Sequence, residues 1–146
     1  MSDSCTFFGH RDCPETVRAA LRATITELIE HHKVSCFYVG DSGRFDALCR
    51  AELKDLGANY SVIRSRMPSR SERYEDASDG ILPEGIVEGG PPRFAIERRN
   101  RWILERSSFV VCYLRQQSFG GAAKFVSLAK RKGKTVINLY SAITPP

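Results

Sequence analysis

The chain has 146 residues, of which 42% are hydrophobic and 27% charged, with a net charge of +5 and a pI near 9.1. This length favours one domain, and the composition excludes the apolar-poor profile of a disordered chain. No apolar stretch reaches the roughly 20 residues of a membrane helix, and the opening MSDSC lacks the pattern of a secretory signal. We therefore expect one cytoplasmic domain over residues 1–146, no membrane partner, and an anionic ligand.

The strands are predicted from nearly continuous runs of β-branched and aromatic residues. Such runs are typical of parallel strands that are covered on both faces. In chain order they are Cys5–Gly9, Ser35–Val39, Tyr60–Arg64, Phe109–Leu114 and Thr135–Leu139.

Helical patterns separate the strands. The first covers about Pro14–His32 and begins with a capping-box spacing between Asp12 and Glu15. The second carries Phe45, Leu48, Cys49 and Leu56 on one side, the third runs from Phe94 to Arg106, and the fourth runs from Ala122 to Lys132 and stops at Gly133. Strand and helix alternate, so we predict an α/β, Rossmann-like domain of three layers with a mostly parallel five-stranded sheet.

One segment, residues 65–92, breaks this alternation. It is rich in Pro, Gly, Ser and charge, and its only apolar piece is ILPEGIV. Loops of this length in a compact domain are usually functional or disordered, and we predict a lid-like loop.

The five cysteines cannot all pair within the chain, and none forms a C-x-x-C or Cys/His grouping. We predict no metal site and no cofactor. Cys5, Cys36 and Cys112 fall in apparent buried strands, where a free cysteine behaves as a small hydrophobe. Cys13 falls in a predicted loop, and we expect it to be the least inert of the five.

Ligands of open parallel sheets bind beyond the carboxyl ends of the strands, near the point where the strand order reverses. Three segments of the chain fall there: 9–12, 40–46 and 115–121. Each leads into a helix amino terminus, whose free amides attract phosphate or carboxylate. Gly120 and Gly121 offer a turn with almost no side-chain bulk.

The third helix adds two further candidates. Asn100 falls on its otherwise apolar stripe, where a side-chain amide needs a partner, and Arg99 is adjacent. Arg98, Arg101 and Glu105 fall on other faces and are expected to be solvated. The candidate ligand-binding residues are Gly9, His10, Arg11, Gly40, Asp41, Gly43, Asp46, Arg99, Asn100, Gly120 and Gly121.

Structural alternatives stay open for these residues. As isolated residues, His10 could be a hydrogen-bonded turn residue and Arg11 a solvated surface charge, but their position beside the expected switch point favours ligand contact. Asp46 could complement the dipole of the second helix, take a ribose hydroxyl or orient Arg11.

The segments TFFGHRD, GDSGRFDALC, ERRNRWILERSSFVVCY and FGGAAKFVSLAKRKGKTVINL resemble the small YpsA-like branch of the SLOG superfamily, which is named after the DprA/Smf and Lonely Guy groups. The resemblance covers nearly the whole chain except the lid-like loop. It implies a Rossmann-like fold, a homo-oligomer, and a site for nucleotides or nucleotide-derived ligands. Transferred position by position, it marks the same candidate residues except Asp41.

One motif departs from the relatives. Lonely Guy phosphoribohydrolases carry PGGxGTxxE, whose glutamate serves N-glycosidic cleavage, whereas here Gly121 is followed by Ala122, Ala123, Lys124 and Phe125. An oxocarbenium-like transition state is normally stabilised by a nearby carboxylate, so that activity would require a substitute. The candidates are Asp46, Glu97, Glu105 and an acid of the lid-like loop such as Asp76 or Glu84.

Three functions follow from these observations. The first is binding of a nucleotide or ADP-ribose-like ligand by a sensor or sequestering module. The second is hydrolysis of a nucleotide N-glycosidic bond. The third is nucleic-acid binding, for which the basic end of the fourth helix offers Lys124, Lys130, Arg131, Lys132 and Lys134.

Overall fold

The computed structural model describes residues 3–10, 12–66, 80–115 and 120–143, with only the backbone of 142–143. Within them, six strands form one sheet in the order β4-β3-β2-β1-β5-β6, and every neighbouring pair is parallel. The strands are β1 (Asp3–Gly9), β2 (Val34–Val39), β3 (Tyr60–Ile63), β4 (Gly80–Ile81), β5 (Phe109–Tyr113) and β6 (Thr135–Asn138). The predicted α/β, Rossmann-like fold is confirmed.

The predicted count of five strands was wrong, because β4 lies in the segment assigned to the lid-like loop. It has two residues, Gly80 and Ile81, which pair with Val62 and Ile63 of β3. A strand of two residues is too short to show a periodic pattern. Residues 67–79 of that segment lie outside the described residues.

Helices cover both faces of the sheet. They are α1 (Val17–His31), α2 (Gly43–Asp55), α3 (Ala95–Glu105), α4 (Gly121–Arg131) and α5 (Leu139–Ile143). One core cluster lies between the sheet and α1, α2 and α5, and the other lies between the sheet and α3 and α4. Consecutive residues of β1 alternate between them, since Phe7 joins the first cluster and Phe8 the second.

The amino end of α1 differs from the predicted capping box. The helix begins at Val17, and its cap residue Thr16 makes no side-chain capping bond. Glu15 instead forms ion pairs with Arg18 at 3.0 Å and with Arg44 at 2.6 Å, so that it joins α1 to α2.

Arg98 was wrongly expected to be solvated. Its guanidinium donates hydrogen bonds to the carbonyl oxygens of Ile86, Val87, Gly90 and Pro91 at 2.6–3.4 Å. It therefore fastens the segment before α3 to that helix. Backbone carbonyls give no sequence signal, so side-chain patterns could not reveal these bonds.

Cys13 was also misjudged, because it is only 1% exposed and burial raises the pKa of its thiol to about 11. Cys36 is half-buried, whereas Cys5 and Cys112 are buried as expected. Among the described residues, no helix has the length and apolarity that crossing a membrane requires.

Candidate functional site

A cavity of about 300 Å³ lies at the carboxyl edge of the sheet. It lies beside β1. Strands β2, β3 and β4 follow one another on one side of β1, and the chain then crosses to β5 on the other side. Ligands of open α/β sheets bind at this point, where the strand order reverses. The lining residues are Phe7, Phe8, Gly9, His10, Ser42, Asp46, Ile96, Arg99, Asn100, Gly121 and Ala122.

The structure brings together six of the candidates predicted from sequence. Those that line the cavity are Gly9, His10, Asp46, Arg99, Asn100 and Gly121. Those outside the lining are Gly40, Asp41, Gly43 and Gly120. Arg11 lies outside the described residues, so its ligand contact stays a prediction.

Arg99 forms the buried support of the site. It is 2% exposed, and its Nη1 donates to Asp41 Oδ1 at 2.8 Å and to the carbonyl oxygen of Ile63 at 3.2 Å. Its Nε donates to Asn100 Oδ1 at 2.8 Å, which supplies the partner that the sequence position of Asn100 requires. Because Asp41 already balances the charge of Arg99, this arginine positions other groups more than it attracts an anion.

Asp41 acts behind the cavity wall. Its Oδ1 also accepts a hydrogen bond from the Ser65 hydroxyl at 3.2 Å, and its side chain is 6% exposed. This carboxylate therefore links the end of β2 to α3 and to the residues that follow β3.

Asp46 is the buried carboxylate of the cavity. It lies in the first turn of α2, is 7% exposed, and accepts a hydrogen bond at Oδ2 from the backbone N–H of Ser42 at 3.0 Å. Burial raises the pKa of Asp46, while the nearby charge of Arg99 lowers it. Ser42 was missed as a separate candidate, since its backbone amide makes this bond and any residue type would provide it.

Gly40 is required by close packing of these side chains. A Cβ atom at this position would lie 2.6 Å from Arg99 Nη1 and 2.6 Å from Asp46 Oδ2. Gly9 is similar, because a Cβ there would lie 2.4 Å from the Phe45 ring. These two glycines let side chains approach the backbone, which is a different use from cradling a phosphate.

The amino end of α4 is open. Gly120 caps the helix with a φ of +103°, a conformation that favours glycine, and Gly121 begins the helix. A Cβ added at Gly121 would meet no atom of the described residues within 4 Å, so they leave space before the backbone there. Free amides and the helix dipole make such an end attractive to anions.

His10 follows β1 directly. Its Nε2 accepts a hydrogen bond from the backbone N–H of Arg115 at 3.3 Å, and its ring meets the Tyr113 ring edge-on at 6.1 Å. These contacts hold the imidazole between the ends of β1 and β5.

Two other features of the site affect its chemistry. Glu97 and Lys124 form an ion pair between α3 and α4, so neither charge is isolated. Among the described residues, no group of three or more His, Cys, Asp or Glu side chains is arranged to hold a metal ion.

Comparison with known proteins identifies the fold. No protein-family model and no curated protein sequence matches the chain. DNA processing protein A (DprA) from Streptococcus pneumoniae is similar in structure, with a TM-score of 0.70 and 16% identity over 94% of this chain and 50% of that one. DNA processing protein A from Helicobacter pylori, described as having a unique single-stranded DNA binding mode, gives a TM-score of 0.65 and 11% identity over 92% of this chain and 64% of that one.

This chain therefore spans less than two thirds of each of these neighbours. Identities of 16% and 11% show a shared fold. Membership of the SLOG superfamily and of its YpsA-like branch stays a prediction from the sequence.

Proposed function

We propose that the cavity binds a nucleotide-type ligand, whose phosphate lies at the amino end of α4. One observation carries the proposal: the open helix end at Gly121 and the buried carboxylate of Asp46 line the same cavity of about 300 Å³. A free helix end favours an anion, and a buried carboxylate needs hydrogen-bond donors. A nucleotide offers both in one molecule.

Binding is favoured over catalysis as the primary function. Of the described residues that line the cavity, Asp46 alone is a carboxylate. Among the described residues that line the cavity, N-glycosidic cleavage would therefore use Asp46, since Glu97 is paired with Lys124. Chromatography of nucleoside monophosphates incubated with the protein tests this alternative, because cleavage releases the free base.

The binding proposal is tested by isothermal titration with the four common ribonucleoside 5′-monophosphates. Gly121→Val puts a branched side chain where the phosphate would lie, and we expect it to abolish measurable binding. Ser127→Val is the matched control, because Ser127 is exposed on the same helix away from the cavity. Failure of all four nucleotides to bind at millimolar concentration would overturn the proposal.

Single-stranded DNA is the second candidate ligand. It is favoured by the structural similarity to the H. pylori protein, which binds single-stranded DNA, and by the net charge of +5. We expect such binding to weaken steeply with salt, because phosphate contacts release counterions. Fluorescence anisotropy with a labelled thymidine oligonucleotide tests this at salt concentrations of about 50 to 200 mM. An affinity that does not change with the salt concentration would exclude the proposal.

A further inference from the structure

Asp46 has unused hydrogen-bonding capacity inside the cavity. Its one hydrogen bond within the described part of the chain comes from the backbone N–H of Ser42, at 3.0 Å. The two arginines whose charges lower the pKa of Asp46 are used elsewhere: Arg99 pairs with Asp41 at 2.8 Å, and Arg50 donates to the carbonyl oxygen of Gly40 at 2.9 Å. Among the described residues, Asp46 has no fully buried side-chain oxygen without a partner, so its remaining acceptor sites face the cavity, where solvent or a ligand reaches them.

A ligand group that donates hydrogen bonds to the remaining acceptor sites of Asp46 cannot be anionic. A phosphate beside Asp46 would be repelled, whereas it is attracted by the helix end at Gly121. Hydroxyl groups donate readily to a carboxylate, whose two oxygens can accept a pair of adjacent donors. In a nucleotide the sugar is linked directly to the phosphate. A small cavity that holds the phosphate at the amino end of α4 therefore brings the sugar close to the wall that carries Asp46.

We propose that Asp46 accepts hydrogen bonds from the ribose hydroxyls of the bound nucleotide, and that the site therefore selects ribonucleotides over nucleotides that lack those hydroxyls. This inference rests on the proposed nucleotide binding and specifies its ligand class. It also separates the two candidate ligands, because the sugars within a DNA strand have neither hydroxyl free.

The test measures affinity by isothermal titration of the full chain with three ligands. They are adenosine 5′-monophosphate, its 2′,3′-dideoxy form, and inosine 5′-monophosphate, which lacks the amino group of adenine. Hydrogen bonds to charged groups are worth about 1.5–3 kcal/mol, so we expect the dideoxy form to bind about 10- to 100-fold more weakly than the parent nucleotide. Inosine 5′-monophosphate should bind as adenosine 5′-monophosphate does.

Asp46→Asn keeps the shape of the side chain and removes its charge. In this variant we expect the preference for the ribose form to shrink to a few-fold. Asp55→Asn is the matched control on the same helix, since Asp55 is 65% exposed, and it should keep the full preference. If the Asp46 variant does not fold, the three ligands on the unaltered protein decide alone.

Several outcomes overturn the inference. Equal binding of the ribose and dideoxy forms would leave nucleotide binding intact and remove the role of Asp46. A full preference that survives in Asp46→Asn would assign the hydroxyls to another residue. Weaker binding of the inosine form alone would assign the contact to the base. If none of the four common ribonucleoside 5′-monophosphates binds, the proposed function itself fails.

Discussion

Arg99 and Asp41 form an ion pair of 2.8 Å in which both side chains are almost completely buried, at 3% and 6% exposure. The pair joins α3 to the end of β2, directly behind Gly40. Buried charges require partners of this kind, since removal of one leaves the other uncompensated. This ion pair therefore stabilises the wall of the cavity, and its two residues can be tested separately.

Arg99→Ala should destabilise the protein by about 3–5 kcal/mol, the usual cost of breaking a buried ion pair from one side. Asp41 would keep a Ser65 hydroxyl as a partner but lose its counter-charge. Urea unfolding followed by circular dichroism measures the change. Arg101→Ala on the same helix is the control, because Arg101 is exposed and its loss should change stability by less than about 0.5 kcal/mol.

A destabilisation of Arg99→Ala no larger than that of the Arg101 control would show that the ion pair does not support the fold. Arg99→Lys refines the test, since lysine keeps the charge but cannot bond Asp41, Ile63 and Asn100 with one planar group. We expect its stability to fall between those of the parent and Arg99→Ala.

Gly40→Ala tests the close packing beneath the cavity. The added methyl group would lie 2.6 Å from both Arg99 Nη1 and Asp46 Oδ2, so at least one of the two side chains must move. Overpacking of this kind costs about 1–3 kcal/mol. Gly121→Ala is the control, because a Cβ there meets no atom of the described residues within 4 Å, and its stability in thermal unfolding should match the parent. Equal stabilities of the two variants would contradict the packing argument.

The sequence predicted the long, periodic elements well because their apolar patterns extend over several turns or a whole strand. It missed β4 and α5, since two and five residues are too few to carry a pattern. The position of the site followed from sheet topology, which places the loops after β1 and β2 together with the amino end of α4. The roles of Gly40 and Asp41 could not be predicted, because they depend on contacts with Arg99, which is 58 positions from Asp41.

Cysteine reactivity offers a test that is independent of any ligand. Burial raises the pKa of Cys13 to about 11 and of Cys112 to about 12, and it also raises the pKa of Cys5 and Cys49. Thiols react as thiolates, so these four should resist alkylation at pH 8. Cys36 is half-buried and should be modified first by iodoacetamide, as mass spectrometry of tryptic peptides would show. Modification of Cys13 before Cys36 would contradict the structure, and Cys36→Ser should remove the early product.

The raised pKa of Asp46 predicts how the stability of the unliganded protein depends on pH. Burial is the main cause, and it raises the pKa in the folded state above the ordinary value of 3.8, while Arg99 opposes the shift. The folded protein therefore holds this proton more tightly than the unfolded chain does. The resulting contribution to stability is complete below pH 3.8 and is lost as the pH rises through the folded-state pKa. Above that pH the ionised carboxylate makes the folded state less stable.

Asp46→Asn removes this titration and keeps the side-chain volume. The free energy of unfolding of the variant, minus that of the parent, should therefore increase from about pH 3 towards pH 8, because ionisation of the buried Asp46 destabilises only the parent. Urea unfolding at several pH values measures the free energy of unfolding of both proteins. The contributions of their other carboxylates cancel in the difference. A difference that stays constant with pH would show that Asp46 ionises equally easily in both states. A carboxylate whose ionised form weakens the fold needs another reason to occupy the cavity wall, and ligand contact is the reason that the geometry supports.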